Sequence, residues 1–330
     1  MTSTRSGFRR KTLTLLSIAS VTPTLLVGGA GTATAAPIRC DKSTSGKRPF
    51  YHGPSASLTY DSNRLFKSSF RIPGLASYIP QGTATWSNWD GEDDLILITS
   101  YDKPGRKAII SGVDAKTGQH VGYAEIAYSH VGGIAVFEKQ GWAFVSGTRN
   151  GTIRKYSLTK LKDAIKTFGT LAQDGKDQIV YASSFLTSHG PSDTLWAGSF
   201  EPGKRGNMHS YNVRNDGDLG YRPGSWQVPK KTQGLVVTKD VFIYSTSHGR
   251  NNRSNIYVVR RGKGSSRLDT ARLDCFRAPS MAEGLTVYGK DVYVAYESGA
   301  RYYSAAKDKP INIIEDLHKA RLSSLEKLAP

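Results

Sequence analysis

The sequence has 330 residues, and its 45 Lys and Arg residues outnumber its 27 Asp and Glu residues, which gives a formal net charge of +18 at pH 7. Because residues 1–36 are typical of an export signal, this charge is expected to act outside the cell, which argues against nuclear and ribosomal roles. A basic surface in that compartment attracts acidic polymers or acidic proteins.

The export signal has three parts. Four basic residues precede an apolar stretch of small residues, 13–30, and Ala33-Thr34-Ala35 supplies a cleavage pattern. Pro23 and glycines interrupt the apolar stretch, so it predicts no transmembrane segment. The pair Arg9-Arg10 leaves twin-arginine export open as a route. Removal of the four basic residues lowers the formal charge to +14.

The two cysteines, Cys40 and Cys275, are predicted to form a disulfide, because an even pair in an exported protein is usually bridged. This bridge would anchor a polar N-terminal segment, residues 37–63, which we expect to lie on the surface. Neither cysteine has a Cys or His partner at ligand spacing, so no metal site is predicted there.

A repeat of about 50 residues organises the rest of the chain. A polar residue followed by glycine opens an apolar strand at Gln233-Gly234 and again at Glu283-Gly284. The second residue of each copy falls at positions 82, 133, 183, 234 and 284, although the third copy lacks the glycine. Four short strand patterns per repeat are typical of a propeller blade.

We therefore predict an all-β fold, a five-bladed β-propeller that forms one monomeric domain over residues 64–330, with six blades as the alternative. Residues 65–72 precede the first repeat at the distance of an outer strand, so they are predicted to complete the fifth blade and close the ring. Helical periodicity is confined to residues 158–167 and 313–328.

Propeller topology places two sets of loops on one face. The residues that lead into the inner strands share this face with the loops between second and third strands, and every one of those loops contains arginine and glycine. Arginine holds carboxylate, sulfate or phosphate in a bidentate fork, so the face is predicted to bind an anionic ligand, with soluble hairpins as the alternative. The predicted contacts are Gln81, Tyr101, Asp102, Arg106, Arg149, Glu201, Arg205, Gln233, Arg250, Arg253 and Arg301.

Two pairs of residues on this face are candidates for catalysis. Glu283 and Glu297 both approach the axis and are candidates for acid and base in glycoside hydrolysis, although neighbouring arginines are expected to lower their pKa values. His130 and His248, with nearby tyrosines, are candidates for the base of a polysaccharide lyase. The alternatives are ion-paired carboxylates and ordinary surface histidines.

No cofactor is predicted, with calcium as an open alternative. Residues 90–94 form an acidic turn whose oxygen atoms suit calcium, but the turn lacks the ligand spacing of a calcium loop. The mature chain contains no G-x-S-x-G, H-E-x-x-H, P-loop or dinucleotide motif.

The pairs Gln81-Gly82, Gln233-Gly234 and Glu283-Gly284 resemble the inner-strand motif of gluconolactonase and strictosidine-synthase-like propellers and of phytase-like esterase propellers. The gluconolactonase type implies six blades and an axial calcium held by carboxylate and asparagine, and only Glu283 matches such a ligand. The whole chain is similar to secreted propeller proteins of actinomycetes, some of which act on other secreted proteins.

The predicted function is binding of an acidic polysaccharide or another anionic extracellular polymer on the basic face. One alternative is a hydrolase or lyase that acts on an anionic glycan. The other is a protein-interaction propeller that acts on a secreted protease or a cell-wall protein.

Overall fold

A computed structural model describes residues 38–41, 49–61 and 65–330, so the predicted export signal lies outside the described residues. Five four-stranded antiparallel sheets form a five-bladed β-propeller, as predicted. The first three blades contain β2 (Tyr78–Trp86), β3 (Leu95–Asp102), β4 (Lys107–Asp114) and β5 (His120–Ala127); β6 (Ile134–Phe137), β7 (Trp142–Ser146), β8 (Thr152–Ser157) and β9 (Gln178–Ile179); and β10 (Phe185–His189), β11 (Thr194–Gly198), β12 (Gly206–Val213) and β13 (Leu219–Val228).

The fourth blade consists of β14 (Thr232–Val237), β15 (Val241–Thr246), β16 (Ser254–Arg260) and β17 (Leu273–Ala278). The fifth contains β18 (Ala282–Tyr288), β19 (Asp291–Tyr296) and β20 (Asp316–Arg321), and its outer strand is β1 (Phe66–Arg71). The helices are α1 (Leu58–Asp61), α2 (Leu158–Thr167), α3 (Arg301–Ser304) and α4 (Leu322–Glu326).

Strand burial follows position within the blade. In β3 every residue from Leu95 to Tyr101 is buried, because a middle strand has a neighbour on both sides and packed blades above and below. In the outer strand β5 buried and partly exposed residues alternate, as expected where one face meets solvent. The hydrophobic core therefore lies between blades.

The N-terminal strand closes the ring, as predicted. β1 pairs with β20 in antiparallel register, with Phe66 opposite Ala320. The pairing gives the fifth blade its fourth strand, so β20 is covered by β1 and is not left as an edge strand.

The prediction of helix over residues 313–328 was wrong for its centre. Residues 316–321 form β20, the third strand of the fifth blade, and only α4 is helical. Leu317 and Ala320 stand three residues apart, which imitates a helical face, but strands on both sides supply hydrogen bonds that decide the structure. The helix predicted over residues 158–167 is confirmed as α2.

The disulfide between Cys40 and Cys275 is confirmed, with a Cα–Cα distance of 4.5 Å. The described part of the N-terminal segment is more buried than a surface segment should be. Ala56, Ser57 and Tyr60 are fully buried. Tyr60 stacks on Phe66 with ring centres 4.3 Å apart, so the segment adds to the core beneath the fourth and fifth blades.

The repeated glycine has a steric cause. A Cβ atom on Gly284 would lie 2.5 Å from the backbone nitrogen of Thr83 in the next blade. A Cβ atom on Gly82 would lie 2.8 Å from the Cα of Gly133. Each glycine therefore marks the point where one inner strand passes too close to the next for a side chain.

The third copy of the repeat is shifted from its predicted position. Phe185 pairs with Gly198, as Gly234 pairs with Ser245, so Phe185 occupies the glycine position and the prediction of residue 183 was wrong. Gly198 provides the space, because a Cβ atom there would lie 2.2 Å from Cζ of the Phe185 ring. Ser184 then corresponds to the polar residue of the other copies.

Candidate functional site

The polar residues of the repeat lie where the inner strands are irregular. The ladder between first and second strands is interrupted around Gln81, Gln233 and Glu283. Such bulges redirect a side chain away from the regular alternation of the strand. Two residues before Gln233 and before Glu283, Lys231 and Met281 have φ values of 67° and 63°, a left-handed conformation that non-glycine residues rarely adopt.

Glu283 is the most enclosed acid of this site. It is 1% exposed and lies in β18. The side-chain amide of Gln233 donates a hydrogen bond to its Oε1 at 3.1 Å, and the hydroxyl of Ser247 donates to the same oxygen at 3.2 Å. Two residues of the fourth blade thus fix the position of the Glu283 carboxyl, which belongs to the fifth blade.

Glu297 follows β19 and keeps part of its surface exposed. The side-chain amide of Gln81 donates a hydrogen bond to its Oε2 at 3.1 Å and a second one to the Pro80 carbonyl at 2.8 Å. Tyr303 is a further hydrogen-bond partner of the Glu297 carboxyl. The first blade therefore donates a hydrogen bond to Glu297, in the same way that the fourth blade donates one to Glu283.

Burial sets the protonation of this acid pair. Desolvation raises the pKa of Glu297 to about 7, against the opposing effects of its hydrogen bonds and of the Lys103 and Arg250 charges. Desolvation and then the charge of Glu297 raise the pKa of Glu283 well above its usual value. The expectation of lowered pKa values was therefore wrong, because exclusion of water outweighs the neighbouring cations.

Tyrosines form the wall beside the pair. Tyr101 is 5% exposed, and its hydroxyl is a hydrogen-bond partner of Tyr303. Desolvation and the charge of Glu297 raise the pKa of Tyr303, so it remains a neutral hydrogen-bonding group. The guanidinium of Arg250 lies 5.0 Å from the centre of the Tyr303 ring, which places a cation at the rim of the wall.

A cavity of about 410 Å³ opens at the same end of the channel, in the second to fourth blades. Four of the predicted residues line it, His130, Arg149, Gln233 and His248, together with Asn150, Ser184 and Phe200. Gln233 connects the cavity to the acid pair through its hydrogen bond with Glu283. Gln233 is thus the link between the two groups, since neither Glu283 nor Glu297 lines the cavity itself.

His130 lies between the cavity and the tyrosine wall. Its ring centre is 4.9 Å from that of Tyr101, and the residue is exposed to solvent. Desolvation by the surrounding wall nevertheless lowers its pKa, and the Lys103 charge acts in the same direction. The ring of His248 lies 5.8 Å from that of Phe200 on the opposite side of the cavity.

Arg154 was not predicted as a site residue, yet it lies directly behind the cavity wall. It is 2% exposed and donates hydrogen bonds to the carbonyl of Ala127 at 2.6 Å and to that of Ser146, a cavity residue, at 3.3 Å. Among the described residues no carboxylate lies within ion-pair distance of it, and its Nε has no hydrogen-bond partner. It is a buried charge without a counter-ion.

Some predicted contacts have structural partners instead. Arg253 donates two hydrogen bonds, at 3.0 and 2.7 Å, to the carbonyl of Ser55, and Arg205 forms a 2.7 Å ion pair with Asp269. Asp102 accepts hydrogen bonds from the backbone amides of its own turn, at 2.8 and 2.9 Å. These three side chains hold loops in place.

The remaining predicted residues stay near the rim. Arg106, Arg149 and Arg301 are exposed, and no ion pair involves them in the part of the chain that the structure describes. Arg250 donates to the carbonyl of Asp308 at 2.9 Å. Glu201 is half-buried, and its backbone carbonyl accepts a hydrogen bond from Lys231.

Ser247 and Arg154 were not predicted as site residues, and neither were Asn150, Ser184 and Phe200, which line the cavity. The signal for Arg154 was a basic residue inside a strand, since β8 reads Thr-Ile-Arg-Lys-Tyr-Ser between buried neighbours. Ser247 directly follows β15, the strand opposite the Gln-Gly pair.

Neither a protein-family model nor a curated protein matches the sequence. Among solved structures, the chain is similar to Kuenenia stuttgartiensis hydrazine synthase, with 14% identity, a TM-score of 0.34 and coverage of 70% of this chain and 77% of that one. It is also similar to the β-propeller domain of Myceliophteria thermophila Cps50 (Swd1), with 10% identity, a TM-score of 0.36 and coverage of 71% and 66%. The resemblance to gluconolactonase-type and actinomycete propellers stays a prediction.

Two searches of the described ranges concern metal ligands and membrane-spanning helices. Residues 38–41, 49–61 and 65–330 contain no group of three or more His, Cys, Asp or Glu side chains arranged to hold a metal ion. Within these same ranges, every helix is too short or too polar to cross a bilayer.

Proposed function

We propose that the protein is an exported β-propeller that binds an acidic extracellular polymer, such as an anionic polysaccharide, at the channel mouth. The single observation that carries this proposal is Arg154, a buried cation beside the cavity without a carboxylate partner. A buried charge is costly unless an opposite charge compensates it. The guanidinium of Arg154 already donates to Ala127, Ser129 and Ser146, so an anion in the cavity would compensate its charge across Ser146 and not by direct contact.

The surroundings of the cavity support the same ligand chemistry. Arg149 lines the cavity at its exposed edge. Arg106, in a loop, and Arg301, at the start of α3, form no ion pair with any residue that the structure describes. Unpaired guanidinium groups on one face steer anions toward it, and they bind carboxylates and sulfates bidentately. A volume of about 410 Å³ is within the range of small-ligand sites, so the cavity would hold only part of a polymer.

The disulfide supports export, because such bonds persist in oxidising compartments. An extracellular polymer is then the ligand that this basic face would meet in quantity.

The test is a binding panel with the purified mature protein. Polygalacturonate and dextran sulfate are titrated by calorimetry, with uncharged dextran as the matched neutral polymer. We expect binding to both anions and none to dextran, with affinity that falls as salt rises. Equal binding to dextran, or no binding to either anion, would refute the proposal.

A second candidate function is cleavage of the bound glycan, and Glu297 is the observation that favours it. Part of the residue is exposed, and a pKa of about 7, caused by burial of its carboxyl, keeps a large protonated fraction at neutral pH, as a general acid requires. Glu283 stands next to it as the second carboxyl of a hydrolase. New reducing ends in the same titrations would demonstrate hydrolysis, and near-ultraviolet absorbance of an unsaturated uronate would demonstrate a lyase.

A further inference from the structure

Three aromatic rings form a continuous exposed surface on the outer strands of the third blade and the segment that leads into it. Tyr181, His209 and Tyr221, here called the aromatic patch, have ring centres 4.3 to 6.1 Å apart. Tyr181 is 66% exposed and Tyr221 is 47% exposed. Single exposed tyrosines are common in folded proteins, but a contiguous exposed group of rings marks an interaction site.

The patch is held in place by hydrogen bonds. Nδ1 of His209 donates to the carbonyl of Gly224 at 3.1 Å, and the backbone N–H of Tyr181 donates to the hydroxyl of the buried Tyr211 at 2.9 Å. The rings of Tyr181 and His209 stack within 23° of parallel. Because one face of the Tyr181 ring rests on His209, its exposed area belongs to the opposite face and the edge. A rigid ring loses little conformational freedom when a ligand packs on it.

The chain connects the patch directly to the cavity. Tyr181 lies in the segment between β9 and β10, two residues before Ser183, which lines the cavity. The N–H of Val180 donates to the carbonyl of Gly151 at 2.9 Å, and the N–H of Gly151 donates to Oγ of Ser183 at 3.1 Å. Consecutive Cα atoms are 3.8 Å apart, so those of Tyr181 and Ser183 are separated by at most about 7.6 Å. One polymer chain can therefore contact the cavity and the patch together.

The cavity and the patch suit different groups of one ligand. Arg149 at the exposed edge of the cavity attracts carboxylate or sulfate. The face of an aromatic ring carries partial negative charge, so it attracts the polarised C–H groups on the flat side of a pyranose ring. A chain of acidic sugars presents both features in each residue. An acidic polypeptide presents the charge without the pyranose ring.

A nucleic-acid base also stacks on tyrosine, but it would bring a phosphate beside the patch. The guanidinium next to Tyr221 in sequence belongs to Arg222, which donates to the side-chain oxygen of Asn212 and, at 3.1 Å, to the hydroxyl of Thr194. This cation is therefore occupied within the third blade. The arrangement favours a sugar ring over a base.

We propose that the aromatic patch is a sugar-stacking subsite, in which the exposed face of Tyr181 packs against a pyranose ring of a polymer whose acidic groups lie at the cavity. This inference rests on the proposed binding of an acidic polymer and names its class, a polysaccharide. A single stacking contact is too weak to hold a polymer alone, so uncharged dextran is still expected not to bind.

The experiment measures affinities for polygalacturonate and for poly-L-glutamate, an acidic polymer without sugar rings, in wild type, Tyr181→Ala, Tyr181→Phe and the control Phe168→Ala. Phe168 is 53% exposed and contacts Tyr123 of the first blade, away from the patch. Tyr181→Ala should lose about tenfold in affinity for polygalacturonate and none for polyglutamate. Tyr181→Phe should bind as wild type does, because stacking requires the ring and not the hydroxyl. Phe168→Ala should match wild type for both polymers.

The two polymers separate this proposal from the proposed function. If both bind and Tyr181→Ala changes neither affinity, or lowers both equally, the subsite is refuted and the acidic-polymer proposal stands. Binding of polyglutamate alone would also refute the subsite. If neither polymer binds, the proposed function fails and the subsite fails with it. A single-stranded oligothymidylate that loses more affinity than polygalacturonate in Tyr181→Ala would assign the patch to a base, against the proposal.

Tyr221→Ala provides a second variant in case Tyr181→Ala does not fold. It removes the other strongly exposed ring of the patch and leaves the backbone hydrogen bond of Tyr181 in place. We expect a loss of several-fold in affinity for polygalacturonate and an unchanged affinity for polyglutamate. Wild-type affinity for polygalacturonate in this variant would contradict a patch that acts as one surface.

Discussion

The side-chain amide of Gln81 lies 3.1 Å from the carboxyl of Glu297, so the polar residue that opens the first blade holds the acid that follows the second strand of the fifth. Gln233 holds Glu283 at the same distance from the other side. Contacts between neighbouring blades and the candidate site therefore involve the same residues. A substitution at one of these residues should therefore change both the free energy of unfolding and ligand binding.

The acid pair should make the fold less stable in alkaline solution. Burial raises the pKa of Glu297 from its ordinary value near 4.5 to about 7, so its favourable contribution is complete below the lower value and is lost as the pH rises through the higher one. Glu297→Gln should match wild type at pH 4 and exceed its free energy of unfolding at pH 8 by about 1–3 kcal/mol. Urea unfolding at both pH values measures this difference. The control Glu92→Gln, a change in an exposed turn, should show no such difference, and a pH-independent effect of Glu297→Gln would refute the argument.

The close approach of inner strands should make Gly284 intolerant of any side chain. Gly284→Ala places a methyl group 2.5 Å from the backbone nitrogen of Thr83, where no flexible group can move aside. We expect a loss of about 2–4 kcal/mol in unfolding free energy. Gly203→Ala is the control, because no atom lies within 4 Å of its Cβ position. Equal midpoints of thermal unfolding in the two variants would contradict the packing described for the axis.

The disulfide should stabilise the protein through its large loop. Cys40 and Cys275 are separated by 235 residues, and on the chain-entropy estimate their cross-link contributes about 5.5 kcal/mol. The double variant Cys40→Ser/Cys275→Ser should lose stability of this order, measured by chemical unfolding. A reducing agent should lower the stability of wild type and leave the double variant unchanged. A reductant effect on the variant would point to another cause.

Acid should destabilise the fifth blade through His318. This histidine is 2% exposed, and its Nδ1 lies 2.8 Å from the hydroxyl of Tyr60. Desolvation lowers its pKa to about 3, so its contribution is present above pH 6.5 and is lost as the pH falls toward 3, at roughly 1.4 kcal/mol per pH unit. His318→Gln, which keeps a hydrogen-bonding group, should show a smaller fall in unfolding free energy between pH 6 and pH 4. A parallel fall in both proteins would assign the acid sensitivity elsewhere.

The five-bladed architecture was predictable because the close contact between neighbouring inner strands recurs along the sequence. The glycine spacing reflects a contact made once per blade, and the N-terminal strand could be placed because the fifth repeat lacked an outer strand. The third copy was misplaced because Phe185 stands where the other copies have glycine. The paired residue Gly198 leaves room for its ring, and this pairing is seen only in the strand register. Residues 316–321 were mistaken for helix because Leu317 and Ala320 have a helical spacing, whereas the pairing with β1 and β19 that makes them a strand is not visible in the local sequence.

The candidate site was predictable in position and not in electrostatics. Topology brought Gln233, Glu283 and Glu297 to one end of the channel, as expected. The raised pKa values depend on how completely the neighbours exclude water, which a list of nearby arginines cannot express. The role of Arg253 could not be foreseen either, since its partner is a carbonyl 198 residues away in the N-terminal segment.

The most direct test of anionic-polymer binding at the channel mouth reverses charges on one face of the propeller at a time. Arg106→Glu/Arg149→Glu alters two exposed arginines at the channel mouth, and Lys239→Glu/Lys290→Glu makes the same change in net charge at exposed hairpins on the opposite face. In a polygalacturonate titration at physiological salt, the first variant should lose at least about tenfold in affinity and show a weaker salt dependence. The second should stay close to wild type. Equal losses in both variants, or unchanged affinity in the first, would contradict binding at the channel mouth.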